Sequence, residues 1–182
     1  LNNKGGVLPL HPDLKEVAIL NVGDGGKTEP FDREIKKYIP FARFQLRKDL
    51  PEVEQQKLRD SLAAYRRVIV TVTEQRLAPY QSFFARFAPE APAIYVFYTP
   101  AKSMLQIQRA VSAAEAVVLA HAPHDDVQER VADILFGKAT ADGRLSASVG
   151  GLFSAGSGVT ITPHTPFHFV PEEYGLKSEV LS

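Results

Sequence analysis

The chain has 182 residues, the usual size of one domain with a single core. Lysine plus arginine and aspartate plus glutamate both total 21, so the formal charge is zero and no basic stripe indicates a nucleic-acid groove. The absence of cysteine excludes disulfides, thiol nucleophiles and thiolate metal sites. No apolar run approaches the roughly 18 residues of a membrane span, so we expect neither a nucleic-acid partner nor a membrane span.

Apolar segments of strand length recur along the chain. Near-continuous runs at residues 16–22, 67–73, 92–98 and 116–120 are typical of strands covered on both faces, and residues 41–46 alternate like a half-exposed strand. Residues 7–10 are apolar but contain Pro9, which favours a lead-in over a central strand. These segments predict a five-stranded sheet.

Helical faces lie between the predicted strands. One example is the stripe Tyr80, Phe83, Phe84 and Phe87, which we interpret as core packing because buried aromatic residues usually serve that purpose. Strands and helices that alternate through short connections predict an α/β fold. We expect a three-layer sandwich with a mainly parallel, flavodoxin-like sheet and helices on both faces.

The helix ends carry local signals. Asp126 with Glu129, and Asp49 with Glu52, have the spacing of a capping box at a helix start. Gly137 stands where a helix-terminating glycine is expected. After residue 150 the composition becomes rich in glycine, proline and small polar residues, with one strand-like piece at 159–162. The sandwich is therefore predicted at residues 1–162, with a tail or linker to a following domain at 163–182.

Ligands of open parallel sheets bind outside the carboxyl ends of the strands, so the loops there supply the candidate residues. The tentative substrate-binding residues are Asp24, Gly25, Arg76, His121 and His124. The glycine-rich loop at 23–26 can be a phosphate cradle or a tight turn, and we favour the turn because Asp24 repels an anion. The segment 121–126 can be a metal or acid-base cluster, but caps and loop explain it better. No catalytic residue, metal or cofactor is predicted.

Both ends of the sequence resemble one known family. Residues 1–10, LNNKGGVLPL, are similar to the lead-in of the C-terminal domain of family 3 glycoside hydrolases. In that family the lead-in segment ends in Leu-Pro-Leu. The last helix of that domain and its exit usually read Leu-Phe-Gly, a short spacer, then Ser-Gly-Arg-Leu-Pro. This pattern is similar to residues 131–138, VADILFGK, followed by residues 142–149, DGRLSASV. The resemblance covers about residues 1–160, although Ser146 replaces the usual proline.

The resemblance implies an accessory domain that supports a TIM barrel of the same polypeptide. In β-N-acetylglucosaminidases of the family that barrel carries the nucleophilic aspartate and the acid-base His-Asp pair. It also implies a carbohydrate substrate for the parent enzyme, a periplasmic or otherwise exported location, and a fusion to a β-lactamase-like domain. Other members place an acid-base glutamate in the α/β domain, but no local motif assigns that role to Glu74, Glu90 or Glu115. A free-standing flavodoxin-like or nucleotide-binding module, and a dimerisation or spacer domain, remain alternatives.

Overall fold

The architecture is an α/β sandwich around one parallel sheet. A computed structural model describes residues 1–23, 27–87 and 93–158. The strands are β1 (Val17–Val22), β2 (Ala42–Leu46), β3 (Arg67–Val72), β4 (Ala93–Phe97) and β5 (Ala116–Leu119). All neighbouring strands are parallel and their order is β2-β1-β3-β4-β5, which is the flavodoxin-like order. The predicted fold class is therefore confirmed.

Helices cover both faces of the sheet. They are α1 (Glu29–Ile35), α2 (Glu52–Ala63), α3 (Gln81–Phe87), α4 (Gln108–Ala113) and α5 (Asp125–Leu135), with 3-10 segments at Ala78–Tyr80 and Ala101–Ile107. One face packs against α2, α3 and α4, and the other against α1 and α5. The aromatic stripe lies in the first of these cores, where Phe83, Phe84 and Phe87 are almost fully buried, so its assignment to packing is confirmed.

The lead-in at residues 1–10 is held to the sheet and to α5. The Asn3 side chain accepts from the Leu8 amide at 3.1 Å and donates to the Leu8 carbonyl at 2.9 Å, which closes the turn between them. Leu8 and Leu10 are buried, and the Leu10 amide donates to the Leu135 carbonyl at 2.6 Å. The lead-in therefore packs on a core formed by later residues.

The lead-in also lines the outer edge of the sheet. Asn2 and Val117 exchange backbone hydrogen bonds in an antiparallel bridge, at 2.7 and 2.8 Å, and the Gly5 amide donates to the Glu115 carbonyl at 2.8 Å. Because β5 is the last strand of the sheet, these bonds satisfy backbone groups that an edge strand leaves open.

The end of α5 follows the sequence prediction. Gly137 has a φ of 73°, its amide donates to the Ile134 carbonyl at 3.0 Å, and the Lys138 amide donates to the Asp133 carbonyl at 2.7 Å. This pair of bonds is the Schellman arrangement, which needs a residue that tolerates the left-handed conformation. Glycine tolerates it because it has no Cβ.

The two predicted capping boxes are wrong. The residue before α5 is His124, so Asp126 lies inside the first turn, and no side chain caps the helix start. Helix α2 is preceded by Pro51 rather than by Asp49, again without a side-chain cap. In both places the spacing of the motif is present, but the helix begins at a different residue from the one the motif requires.

No helix among residues 1–23, 27–87 and 93–158 combines the length and apolar character that a membrane crossing requires. The predicted tail at 163–182 and the strand-like piece at 159–162 lie outside the described residues.

Candidate functional site

The candidate site is the carboxyl edge of the sheet, meaning the loops that follow the parallel strands. Strand β1 is flanked by β2 and β3, and the chain leaves it first towards β2 and then returns to β3 on its other side. Such a switch point opens a crevice at the carboxyl ends of the two central strands. In this chain that position, which we call the crevice, is the place where the loops after β1 and β3 come together.

A line of polar side chains crosses three strands at this point. The Gln45 amide donates to Asn21 Oδ1 at 2.8 Å, and Asn21 Nδ2 donates to Thr71 Oγ1 at 3.1 Å and to the Thr71 carbonyl at 3.3 Å. Asn21 and Thr71 are fully buried, and Asn21 is in register with both Gln45 and Thr71. The buried Asn21 amide therefore has partners on both neighbouring strands, and the line joins the three strands beneath the crevice.

The loops after β1 and β3 touch each other. A Cβ on Gly23 would lie 2.7 Å from Thr73 Oγ1 and 2.8 Å from Glu74 Cγ, so only glycine fits there. Lys27 Nζ lies 4.0 Å from Glu74 Oε2, an ion pair across the crevice. The predicted site residues Asp24 and Gly25 fall between these positions, outside the described residues.

A second polar group lies behind the crevice, at the start of α1. Arg43 forms an ion pair with Asp32 and donates to Thr28 Oγ1 at 3.1 Å. Burial raises the pKa of Asp32 and outweighs the opposing effect of Arg43. The buried Tyr98 hydroxyl has no hydrogen-bond partner within the described part of the chain, and burial together with the Asp32 charge raises the pKa of Tyr98. Proton loss from either group is therefore disfavoured.

The start of α1 is fixed by a glutamine from α5. Gln128 is 1% exposed; its Nε2 donates to the Lys27 carbonyl at 2.7 Å and to the Pro123 carbonyl at 2.8 Å. Its Oε1 accepts from the Phe31 amide at 3.2 Å. One side chain thus joins the loop after β1 to the loop after β5. It also occupies an amide at the start of α1 that a phosphate ligand would need.

The remaining predicted site residues are spread along the carboxyl edge. Arg76 is exposed in the loop after β3, and its neighbours are held by Gln106, which donates to the Gln75 carbonyl at 2.7 Å. His121 and His124 follow β5 and are exposed. Since β4 lies between β3 and β5, their carboxyl ends are about 10 Å apart. The structure therefore places Arg76 on one side of this edge and both histidines on the other.

His121 has an uncommon backbone conformation, with a φ of 67°. Residues other than glycine rarely adopt positive φ, and histidine is among the few enriched there. The turn that carries it is tight, because the Ala122 amide donates to the Ala120 carbonyl at 2.8 Å. This turn puts His121 at the rim of two adjoining cavities.

The first, which we call the α5 cavity, has a volume of about 290 Å³ and lies between α5 and residues 140–145. The second, the Lys102 cavity, has a volume of about 230 Å³ and lies between residues 144–150 and the 3-10 segment at Ala101–Ile107. His121, Arg144 and Leu145 line both cavities. Sequence reasoning had used Gly143-Arg144-Leu145 only as a family motif and missed its place in a cavity.

Charged side chains at these cavities come from distant parts of the chain. Arg130 lines the α5 cavity and donates to the Thr140 carbonyl at 3.3 Å, and Lys102 lines the second cavity. Arg144 Nη1 donates to the carbonyls of Asp142 and Gly143 at 3.2 and 3.3 Å. Within the residues that the structure describes, no group of three or more histidine, cysteine, aspartate or glutamate side chains could hold a metal ion.

Comparison with known proteins does not assign the chain to a family. No family model matches the chain. No curated protein matches it either. Among solved structures, a pilus assembly-related protein from Burkholderia pseudomallei is similar at 12% sequence identity, with a TM-score of 0.42. The match covers 70% of this chain and 95% of the other, and at that level of similarity it carries no argument about function.

Proposed function

We propose that this chain is the accessory C-terminal α/β domain of a family 3 glycoside hydrolase of the β-N-acetylglucosaminidase type. In this proposal it supports a TIM barrel of the same polypeptide and lends loops of its carboxyl edge to the glycan cleft. Hydrolysis of the O-glycosyl bond belongs to the parent enzyme, whose barrel supplies the nucleophile and the acid-base pair. The parent is periplasmic or otherwise exported.

The observation that carries the proposal is the meeting of the two motifs at opposite ends of the chain. The Leu10 amide donates a hydrogen bond to the Leu135 carbonyl. This bond joins the Leu-Pro-Leu motif directly to the Leu-Phe-Gly motif. Leu1 and the exit residues Gly143, Arg144 and Leu145 line the same α5 cavity. Two motifs that are more than a hundred residues apart thus serve one structural unit, as expected if they were inherited together.

Activity measurements test the proposal. The 182-residue chain alone should not hydrolyse a chromogenic β-N-acetylglucosaminide, whereas the full-length parent, assayed at equal molar concentration, should. The reading frame upstream of the chain should encode a barrel with a nucleophilic aspartate, and Asp→Asn there should abolish activity in the parent. Turnover by the isolated chain, or an unrelated upstream domain, would contradict the proposal.

The strand order favours a second candidate, a flavodoxin-like or nucleotide-binding module, because such folds bind ligands at this switch point. Two features oppose it. The first turn of α1 carries Glu29 and Asp32, which repel a phosphate, and Gln128 already accepts from the Phe31 amide. Thermal unfolding with FMN and nucleotides separates the candidates, since a ligand at 100 times its Kd stabilises by about 2.7 kcal/mol. A shift with any of them would favour the module.

A further inference from the structure

The α5 cavity and the Lys102 cavity meet at His121 and Arg144, with different walls on the two sides. Valine and isoleucine side chains line the α5 cavity, namely Val118, Val127, Val131 and Ile134. Their apolar surface lies beside a polar mouth, the usual composition of a small-molecule site. The α5 cavity is just below the common range of about 300 to 1,000 Å³ and the Lys102 cavity is further below it. Because the two share three lining residues, their combined volume falls inside that range.

The charge at the two cavities is predominantly positive. Arg130 and Arg144 line the first, Arg144 and Lys102 line the second, and the one carboxylate among the residues that line either is Asp142. The chain as a whole has equal numbers of acidic and basic residues, so this excess is local. Guanidinium groups match the geometry of carboxylate and phosphate oxygens, and arginine is over-represented where these groups are recognised.

The backbone at His121 places a donor where the cavities join. Its φ of 67° turns the chain sharply after β5, and the side chain lines both cavities. On the other side the segment that carries Arg144 is held by two backbone bonds, from the Leu145 amide to the Ser157 carbonyl at 3.0 Å and from the Gly156 amide to the Leu145 carbonyl at 2.7 Å. Two donor side chains on separate segments thus line both cavities.

We infer that the two cavities together bind one small, sugar-sized anionic ligand, whose carboxylate or phosphate group is held by Arg144 and His121. Arg130 and Lys102 supply further positive charge on either side, and the apolar wall on α5 receives the uncharged body of the ligand. The inference rests on the cavities alone and holds whether or not the chain belongs to a glycosidase.

Calorimetric titration of the 182-residue chain tests this site with three probes: D-glucuronate, D-glucose 6-phosphate and neutral D-glucose. At least one anionic probe should bind about tenfold or more tightly than glucose, and its affinity should fall as the salt concentration is raised. A preference for glucuronate identifies a carboxylate ligand, and a preference for the phosphate ester a phosphate ligand. Equal affinity for glucose, or no binding of any probe at roughly millimolar concentration, overturns the inference.

Substitutions locate the binding site. Arg144→Gln should weaken binding of the anionic probe about tenfold. Arg109 is an exposed arginine on α4 that lines neither cavity, so Arg109→Gln should leave the Kd of the probe within about twofold of the wild-type value. His121→Gln provides a second variant if Arg144→Gln does not give native circular dichroism. Unchanged affinity in both folded cavity variants, or an equal loss in Arg109→Gln, contradicts the assignment.

Discussion

Gln128 is the side chain whose loss should affect the carboxyl edge most. Gln128→Met keeps most of the buried volume but removes three hydrogen bonds, to the Lys27 and Pro123 carbonyls and from the Phe31 amide. The Phe31 amide is buried, so leaving it unpaired costs about 1–3 kcal/mol. The two carbonyls lie on exposed residues and can turn to water, which limits their loss to about 0.5–1 kcal/mol each. The sum is about 2–5 kcal/mol of stability.

Urea unfolding followed by circular dichroism measures this loss, with the free energy taken from a two-state fit. Gln108→Ala is the matched control, because Gln108 is an exposed glutamine on α4, and it should change stability by less than about 0.5 kcal/mol. If the unfolding free energy of Gln128→Met lies within about 0.5 kcal/mol of the wild-type value, the three hydrogen bonds of Gln128 do not hold the start of α1.

Gln128→Glu refines the test, because a carboxylate at this position faces two carbonyl oxygens. Burial and these oxygens disfavour the charged form, so the folded-state pKa of the new carboxyl should rise above its unfolded value near 4.3. The folded state then binds the proton more tightly, and the stability of the variant relative to wild type should fall as the pH rises above about 4. A relative stability that rises with pH would contradict the described contacts.

Three further predictions concern other parts of the fold. Gly137→Ala should lower the free energy of urea unfolding by about 1–2 kcal/mol, because Gly137 has a positive φ. Gly143→Ala is the control: a Cβ there meets open space, so its stability should hardly change. Equal losses in the two variants would refute this prediction. Asn3→Ala should lose about 1–2 kcal/mol, since it removes both bonds to the Leu8 backbone, and an unchanged urea midpoint would argue against that turn. The raised pKa of Asp32 means that the folded state holds the proton of this carboxyl more tightly than the unfolded state does. The contribution of Asp32 to stability should therefore fall as the pH rises above the ordinary value of 3.8. Asp32→Asn should flatten this dependence of the unfolding free energy on pH, and an unchanged slope would contradict the assignment.

Much of the fold follows from local sequence signals. The buried strands are runs of β-branched and other apolar residues, and their alternation with helical faces is enough to predict a parallel sheet covered on both sides. The end of α5 was also predictable, because a left-handed residue in that place is a local requirement that Gly137 meets. The helix starts were not. A motif such as Asp126 with Glu129 fits several registers, and in the fold α5 packs against α1 and begins at Asp125.

The candidate site was less predictable, because its contacts join distant parts of the chain. Asn21 reads as one polar residue in an apolar strand, and its partners lie 24 and 50 positions away, at Gln45 and Thr71. Gln128 bonds to Lys27 over 101 positions. No periodicity encodes such pairs. Reasoning from the strand ends did select His121, which lines both cavities, but gave no reason to join it with Lys102 or Arg130.

The backbone bonds from Asn2 and Gly5 to β5 have a consequence for solubility. They shield the edge of the last strand, whose free amide and carbonyl groups would otherwise offer a template for pairing with another molecule. Deleting residues 1–6 should therefore do more than loosen the fold: it should make the protein self-associate through β5, visible as concentration-dependent light scattering. A shorter version intended for crystallisation or fusion should keep this segment, even though it contributes no strand of its own.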